Sequence, residues 1–585
     1  MAFFPRNPSD QNALATLLGR RFVPNAYDAC AFVLIVGLIA LAAHGVDDMR
    51  APLKVLSQSP VTLDAVRLPE YGLRTTLRMF AAMLASLLFT FTVATLAAKS
   101  KRAELVIVPA LDILQSVPVL GFLTFTVSFF MGLFPGSQLG AECASIFAIF
   151  TAQAWNMAFS FYQSLRTVPG DLDEVSRGFG FSAWQRFWRL EAPFAAPGLV
   201  WNMMMSMSGG WFFVVASEAI TVGNTTVELP GIGSWLALAI DRKDFAAVSW
   251  AVLAMAVLIA LYDQLLFRPV VAWADKFRFE QTAGRDRPQS WVYELVRRTR
   301  MFKRLYAPLD WISQRLMKAR RPGRPAVSTS IMGSSVNRRF GDRLWMLVVI
   351  LAAAAGAWVA FDYVRQSLGW ADVTRALTAG GATLLRVVVL IAIGSAIWVP
   401  IGVWIGLRPG VAARVQPLTQ FLAAFPANVL FPVAVMAIAA THANPDIWLS
   451  PLMALGTQWY ILFNVIAGAS AFPSDLREVA MVYDLRSWTW WRKVILPGIF
   501  PYYVTGALTA SGGSWNASIV AELVNWGDTR FEAFGLGSYI AKATEAGDYP
   551  RVVLGIAVMS LFVTLFNRAV WRRLYVFAER RLRLA

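Results

Sequence analysis

The chain has 585 residues, 57% of them hydrophobic and 15% charged, with a net charge of +17. A soluble protein has roughly 45–50% apolar and about 25% charged residues, so this composition excludes a soluble globular chain and indicates a polytopic membrane protein. Cys30 and Cys143, with His44 and His442, are too few and too scattered for a disulfide framework or an ordinary N/S metal centre, and the positive charge reads as a topology signal, with no nucleic-acid partner implied.

In chain order, an N-terminal tail over 1–26 carries Arg6, Arg20 and Arg21. Apolar runs near the ~20 residues that span a bilayer then predict twelve spans. Six fall at about 27–44, 74–97, 105–133, 142–165, 197–220 and 246–267. Six more fall at about 344–362, 380–407, 415–440, 449–469, 501–521 and 550–570. Basic clusters sit at Lys99–Arg102, throughout a linker over 268–343, and in a tail over 572–585, whereas the alternate loops are acidic or mixed. Lys and Arg accumulate on cytoplasmic loops, so an even span count places both termini in the cytoplasm. Within the linker, 320–336 is rich in Pro, Gly and Ser and reads as mobile. Residues 289–319 read as an amphipathic helix pair at the membrane surface, which would contact lipid.

The chain repeats itself. Trp459 falls on Trp155, Trp488 on Trp184, Pro497 on Pro193, Trp515 on Trp211 and Glu522 on Glu218, all at an offset of 304 residues. Gly535-x-Gly537 falls on Gly231-x-Gly233 at the same offset, while Arg386 falls on Arg78 at 308. The expected architecture is therefore all-α, with about twelve transmembrane helices arranged as two homologous six-helix halves over 27–267 and 344–571.

Between the fourth and fifth spans of each half lies a segment too polar to cross lipid. Residues 170–193 read GDLDEVSRGFGFSAWQRFWRLEAP, and 474–497 read SDLREVAMVYDLRSWTWWRKVILP. Asp171 and Asp475 can cap a helix, with Glu174 and Glu478 three residues on in capping-box spacing, and both acids suit a helix N-terminus. Gly180 then offers a sharp positive-φ turn. Asp484 takes that place in the second copy, and Asp tolerates the left-handed region. A short aromatic and basic helix follows, containing Trp184 or Trp488 and closing at Pro193 or Pro497. Taken once, this is an interfacial loop with Trp and Arg at the headgroups; its repetition in register argues for a specific role.

The spacing E-V-S-x3-G-x9-L-x-A-P at Glu174–Pro193, and E-V-A-x3-D-x9-V-x-L-P at Glu478–Pro497, resembles the cytoplasmic EAA signature of ABC-transporter permeases. The chain departs from that signature in the first Ala, which is Val in both copies, in the AP of the first copy and in Asp484. The flanks, P-x-D-L-x-E-V ahead and S-E-A or A-E-L with G-x-G behind, are similar to the nitrate/sulfonate/taurine/bicarbonate branch. The resemblance implies a tandem-fused type I importer permease of a bacterial inner membrane. It implies two ABC ATPase subunits docked on coupling loops at 168–193 and 472–497, and a periplasmic or lipid-anchored solute-binding protein as a further partner. The chain has no G-x4-G-K-[ST] phosphate loop, so the resemblance implies no cofactor on this chain and ATP-Mg on the partner ATPases. Asp171, Glu174, Gly180, Trp184, Asp475, Glu478, Asp484 and Trp488 are the coupling candidates, with no catalytic and no metal-binding residue expected.

Intramembrane polar groups default to functional candidates. Arg78, Arg386, Glu218 and Glu522 read either as pathway residues or as anchors, with the Arg residues snorkelling and the Glu residues capping a loop or pairing with an Arg. Gln153, Asn156, Gln458 and Asn516 either line a route or make interhelical hydrogen bonds. Ser208-Gly209-Gly210 and Ser511-Gly512-Gly513 allow close helix approach or a gate. A secondary transporter with two six-span halves fits the same span count, but no G-x3-D-[RK]-x-G-[RK]-[RK] motif follows the second span. A membrane-embedded enzyme would need a His, Cys or carboxylate cluster that the sequence does not supply.

Overall fold

A computed structural model describes residues 61–116, 119–222, 225–277, 290–299, 335–470, 472, 474–485 and 487–581. The span expected at 27–44 and most of the linker lie outside these residues. By contact the chain separates into two units, one built on Ser164–Val200 and Leu261–Ile331, the other on Gly45–Gln163, Trp201–Ala260 and Met332–Ala585.

The first half runs α1 (Leu68–Phe89), α2 (Lys101–Ser116), α3 (Val119–Leu133), α4 (Leu139–Arg166), α5 (Gly170–Gly178), α6 (Ala183–Arg186) and α7 (Ala192–Glu218). A hairpin follows, β1 (Ala219–Val222) with β2 (Thr225–Glu228), then α8 (Ile232–Asp241), α9 (Phe245–Tyr262) and α10 (Arg268–Ala274). The linker contributes α11 (Trp291–Arg298), capped by the Ser290 hydroxyl, which accepts from the Tyr293 N–H.

The second half begins with α12 (Ser335–Ser367), α13 (Trp370–Gly406), α14 (Pro409–Ala424), α15 (Phe431–Thr441), α16 (Pro445–Trp448), α17 (Ser450–Leu455) and α18 (Gln458–Ser470). It continues with α19 (Ser474–Val482), α20 (Ser487–Trp490), α21 (Leu496–Ala521), the hairpin β3 (Leu523–Trp526) with β4 (Thr529–Glu532), α22 (Leu536–Glu545), α23 (Tyr549–Phe566) and α24 (Arg572–Arg581). From α19 to β4 the second half repeats α5 to β2 with every boundary displaced by 304 residues, except the end of α21. Even the irregularities repeat: π-helical turns occupy Phe187–Glu191 and Trp491–Ile495, and again Asp263–Phe267 and Asn567–Trp571.

Among the described residues, seven helices are long and apolar enough to cross a membrane, and nine crossings result if each of two bent pairs counts as one. The all-α polytopic expectation holds, and the spans expected among the described residues can be matched element by element. The span read at 105–133 corresponds to α2 and α3, on either side of residues 117–118, which lie outside the described residues, and the span at 142–165 is α4. The span at 415–440 is bent by 78° between Pro417–Ala424 and Ala427–Thr441. Pro426 causes this break. It offers no N–H, and it holds the residue before it extended, Phe425 having ψ 127°.

The two hairpins were not anticipated. In the second, Gly527 takes φ +54° at the turn, and Leu523 pairs with Glu532 through to Trp526 with Thr529. The core of the second unit crosses the halves, bringing Val127, Ala144 and Phe213 together with Trp515, Ile461 and Val558. Trp211 and Trp515, one repeat apart, are each only 1% exposed. Within a span the gain from such burial is close packing between helices, because lipid is as apolar as the core.

Candidate functional site: two elbows and two buried charge clusters

Each polar segment folds as an elbow of two short helices. In the first, α5 starts after Pro169, whose carbonyl accepts from the N–H groups of Leu172 and Asp173. Asp171 thus lies inside the first turn, and the expected cap at Asp171 is displaced to Pro169, which offers no side-chain cap. The capping box sits instead on α6: the Ser182 hydroxyl accepts from Gln185 N–H, and the Gln185 carbonyl oxygen accepts from Ser182 N–H. The turns between the helices carry the left-handed residues, Gly180 at φ +67° and Asp484 at φ +48°.

Glu174, Glu478, Trp184 and Asp484 are exposed. Asp475 lies on α19, its side chain outside the described set. The apolar surface is the larger feature. Phe179 is 74% exposed and Tyr483, its repeat counterpart, 73%, while Trp488 is 70% exposed and Val175 and Val479 stand open beside them. Matched exposed aromatics of this size form an apolar patch of the kind that contacts a protein partner or a membrane surface. Sequence reading missed Phe179 and Tyr483 because an aromatic between two apolar spans reads as a membrane-interface anchor.

The second helix of each elbow does not close at its proline. Helix runs without a joint from Ala183 to Glu218, 36 residues, and from Ser487 to Ala521, 35 residues. Pro193 and Pro497 follow directly on the π-turns at 187–191 and 491–495. A widened turn absorbs the missing N–H and the ring's clash with the carbonyl four residues back. Elbow and fifth span are therefore joined by continuous helix, a helical rod without a proline break, in each copy.

At the far end of each rod sits a buried charge cluster. Arg78, 0% exposed, donates from Nη2 to Glu142 at 2.7 Å and from Nη1 to Glu218 at 2.7 Å and the Pro230 carbonyl at 3.0 Å. Thr75 donates its hydroxyl to Glu218 at 2.7 Å and accepts from Ile232 N–H at 3.1 Å, and Gly233 N–H donates to the same carboxylate at 2.6 Å. The N-terminal amides of α8 thus face a carboxylate, where a helix end favours negative charge. The second half repeats the pattern. Arg386 donates to Glu522 at 3.0 Å and to the Phe534 carbonyl at 2.9 Å, Thr383 donates to Glu522 at 2.8 Å and accepts from Leu536 N–H at 2.9 Å, and Gly537 N–H donates at 2.8 Å.

The G-x-G pairs follow from these contacts. A Cβ on Gly231 would come within 2.3 Å of the Glu218 carboxylate, and one on Gly535 within 2.1 Å of that of Glu522. Arg78, Glu218, Arg386 and Glu522 thus neutralise one another between spans and outer helix, and Arg78 offers no free charge to a passing anion in this structure.

The other route candidates divide. Gln153 is buried and contacts Met207 Sδ and Ser86, tying α4 to α7 and α1. Gln458 accepts from Trp398 Nε1 at 3.0 Å, and Asn516 donates to its own helix at Gly512. Ser511 is buried, Asn156 is half-buried on α4, and the Ser208 side chain lies outside the described set. In the glycine runs, a Cβ on Gly210 would meet Gln153 at 2.6 Å and one on Gly513 would meet Thr457 at 2.6 Å, whereas Gly209 has Ala152 at 3.9 Å and Gly512 nothing within 4 Å. Close approach therefore belongs to Gly210 and Gly513. Among the contacts within the second unit that join the halves, Trp201 stacks on Phe463 at 5.3 Å, Gln420 meets Met204, and Asn428 donates to the Phe212 carbonyl at 3.0 Å.

The described residues define a duplicated helical membrane protein with paired elbows in helical continuity with its spans. The family model described as "Binding-protein-dependent transport system inner membrane component" matches it twice, over 78–267 and 398–583. The chain belongs to that family. It is similar to the bicarbonate transport system permease protein CmpB of Synechococcus elongatus, 29% identical over 189 residues, covering 32% of this chain and 65% of the relative. It is also similar to the nitrate import permease protein NrtB of Leptolyngbya laminosa, 29% identical over 189 residues, 32% and 64%. A probable ABC transporter permease of Brucella abortus matches at 25% over 205 residues, 34% and 77%. The chain thus spans just under two thirds of the length of the first two relatives.

Proposed function

We propose that this chain is the entire membrane-spanning part of an ATP-driven importer for a small oxyanion. Both coupling elbows come from one polypeptide, whose termini lie in the cytoplasm. Two ATPase subunits, each carrying ATP-Mg, engage the exposed faces around Phe179–Trp184 and Tyr483–Trp488. A solute-binding protein delivers substrate on the opposite side. Closure of the ATPase pair pushes the elbows together, and each rod carries that displacement to its charge cluster and outer hairpin. The halves then exchange inward-open for outward-open arrangements as near-rigid bodies. Oxyanion transport is supported by the printed activities of the bicarbonate and nitrate relatives.

The observation that carries this reading is the elbow repeated at one offset, each copy with an exposed aromatic, a left-handed turn and helical continuity into a span. Glu174→Arg/Glu478→Arg tests it. Co-purification of an ATPase subunit with the double variant is expected to fall at least about tenfold, because charge reversal at a docking face typically removes 1.4 kcal/mol or more. Unchanged ATPase recovery and unchanged substrate uptake would refute the coupling role.

A further inference from the structure

We propose that the last span ends in a binding groove for the phosphate headgroup of an anionic lipid. The turn Asn567–Trp571 and α24 present one helical face to an open, shallow groove of about 430 Å³, lined by Arg568, Arg572, Arg573, Val576, Phe577 and Arg580. Among the described residues, none of these four guanidinium groups has an ion-pair partner.

The duplication supplies an internal control. At the matching place in the first half, Arg268 is neutralised by Asp263, Nε to Oδ2 at 3.0 Å, and Lys276 lies over the Tyr293 ring at 5.0 Å. One repeat on, Asn567 stands where Asp263 stood, so Arg572 has lost the acid that Arg268 keeps. Arg568 and Arg573 stand where the first half has Gln264 and Pro269. The second half has thus shed an anion and added two cations on one concave surface. Orientation in the membrane asks only for positive charge near the span's end; it does not ask for removal of a local acid.

The chemistry fits a phosphodiester. Guanidinium forks bind phosphate oxygens in pairs, and arginines clustered at the end of a span are placed to meet anionic headgroups. Val576 and Phe577 supply an apolar lining, and the apolar α23 leads away along the acyl chains. These features favour a lipid over a soluble phosphate. The Phe577 ring packs edge-on against Phe500 of α21 at 5.9 Å, so an occupied groove would brace the helix that descends from the second elbow. The site stands independently of the transport reading.

The test uses the full chain, delipidated and returned to nanodiscs of phosphatidylcholine alone or with cardiolipin, with bound lipid read by native mass spectrometry. Wild type is expected to retain cardiolipin, and Arg568→Gln/Arg572→Gln/Arg573→Gln to bind it at least about tenfold more weakly. The corresponding triple Lys variant keeps charge without the fork and is expected to fall between them, which separates lost binding from lost folding. Asn567→Asp restores the first-half acid and is expected to weaken binding about threefold, whereas Arg268→Gln leaves it unchanged. Inorganic pyrophosphate probes the soluble source and is expected not to displace the lipid. Displacement at comparable affinity would overturn the lipid assignment, and equal cardiolipin retention by wild type and the folded Gln variant would overturn the site.

Discussion

The two charge clusters are built to one plan and sealed differently. Arg78 lies between two fully buried carboxylates, Glu142 and Glu218. Arg386 keeps the equivalent of the second, Glu522, but the place of Glu142 is taken by Asp446, which is 53% exposed, and Arg386 itself is 13% exposed. Asp446 also turns outward to accept from Phe534 N–H at 2.7 Å. Duplication has kept the tie between second span, fifth span and outer helix, while the second half has let water reach one side of it. A buried pair contributes little net stability against an apolar replacement, but breaking one is severe. The closed cluster should therefore be the more fragile to single substitution.

The strongest way to break this comparison is to remove each arginine in turn. Arg78→Leu strands two buried carboxylates and is expected to destabilise by about 3–5 kcal/mol. Arg386→Leu strands one buried carboxylate, Glu522, which keeps its Thr383 and Gly537 donors, beside an exposed Asp446, and should remove about 1–3 kcal/mol. Melting of the detergent-solubilised monomer reads both, and equal losses would mean that the difference in sealing carries no energetic weight. Next in size, Gly231→Ala and Gly535→Ala each drive a methyl into a carboxylate and should destabilise by about 1–3 kcal/mol. Because both glycines meet their glutamates at nearly the same distance, these two losses should match; a clear mismatch would show that the cradles differ.

The smallest effect is expected at the elbows. In the first, Asp173 joins Arg177 at 2.7 Å and Arg186 at 3.2 Å, and Arg186 approaches Glu191 at 3.3 Å. In the second, the counterparts of Arg186 and Glu191 are Trp490 and Ile495, packed into the main core. Asp173→Asn should therefore shift stability by less than about 1 kcal/mol, in a salt-sensitive way. Thermal melts across an ionic-strength series would detect it, and no change at all would assign the first elbow's rigidity to its backbone alone.

The repeat was legible because proline, tryptophan, glycine and acid at fixed spacing survive even where their neighbours diverge. Gly180 and Asp484 could be assigned to tight turns because few other residue types adopt positive φ. The hairpins were overlooked although Gly223-Asn224 and Gly527-Asp528, flanked by Val, Thr and Trp, are two-residue hairpin signals; four-residue strands are too short to show alternation. Pro193 and Pro497 misled because a single sequence carries no sign of a π-turn that lets a helix pass through proline. The Arg78–Glu142 partnership was hidden by its 64-residue separation. The offset of Arg386 from Arg78, four residues longer than that of Glu522 from Glu218, also obscured the equivalence of the two clusters.

The second hairpin's tip ends on the first half: Gly527 N–H donates to the Ile240 carbonyl at 3.0 Å, and Lys243 reaches Asp528 at 3.4 Å across open solvent. One backbone bond and one exposed ion pair amount to about 1–2 kcal/mol, only a few times thermal energy. A contact this light is weak enough to open and reclose spontaneously, so the hairpin tip touches the first half without locking it, and the buried core shared by the halves carries their register.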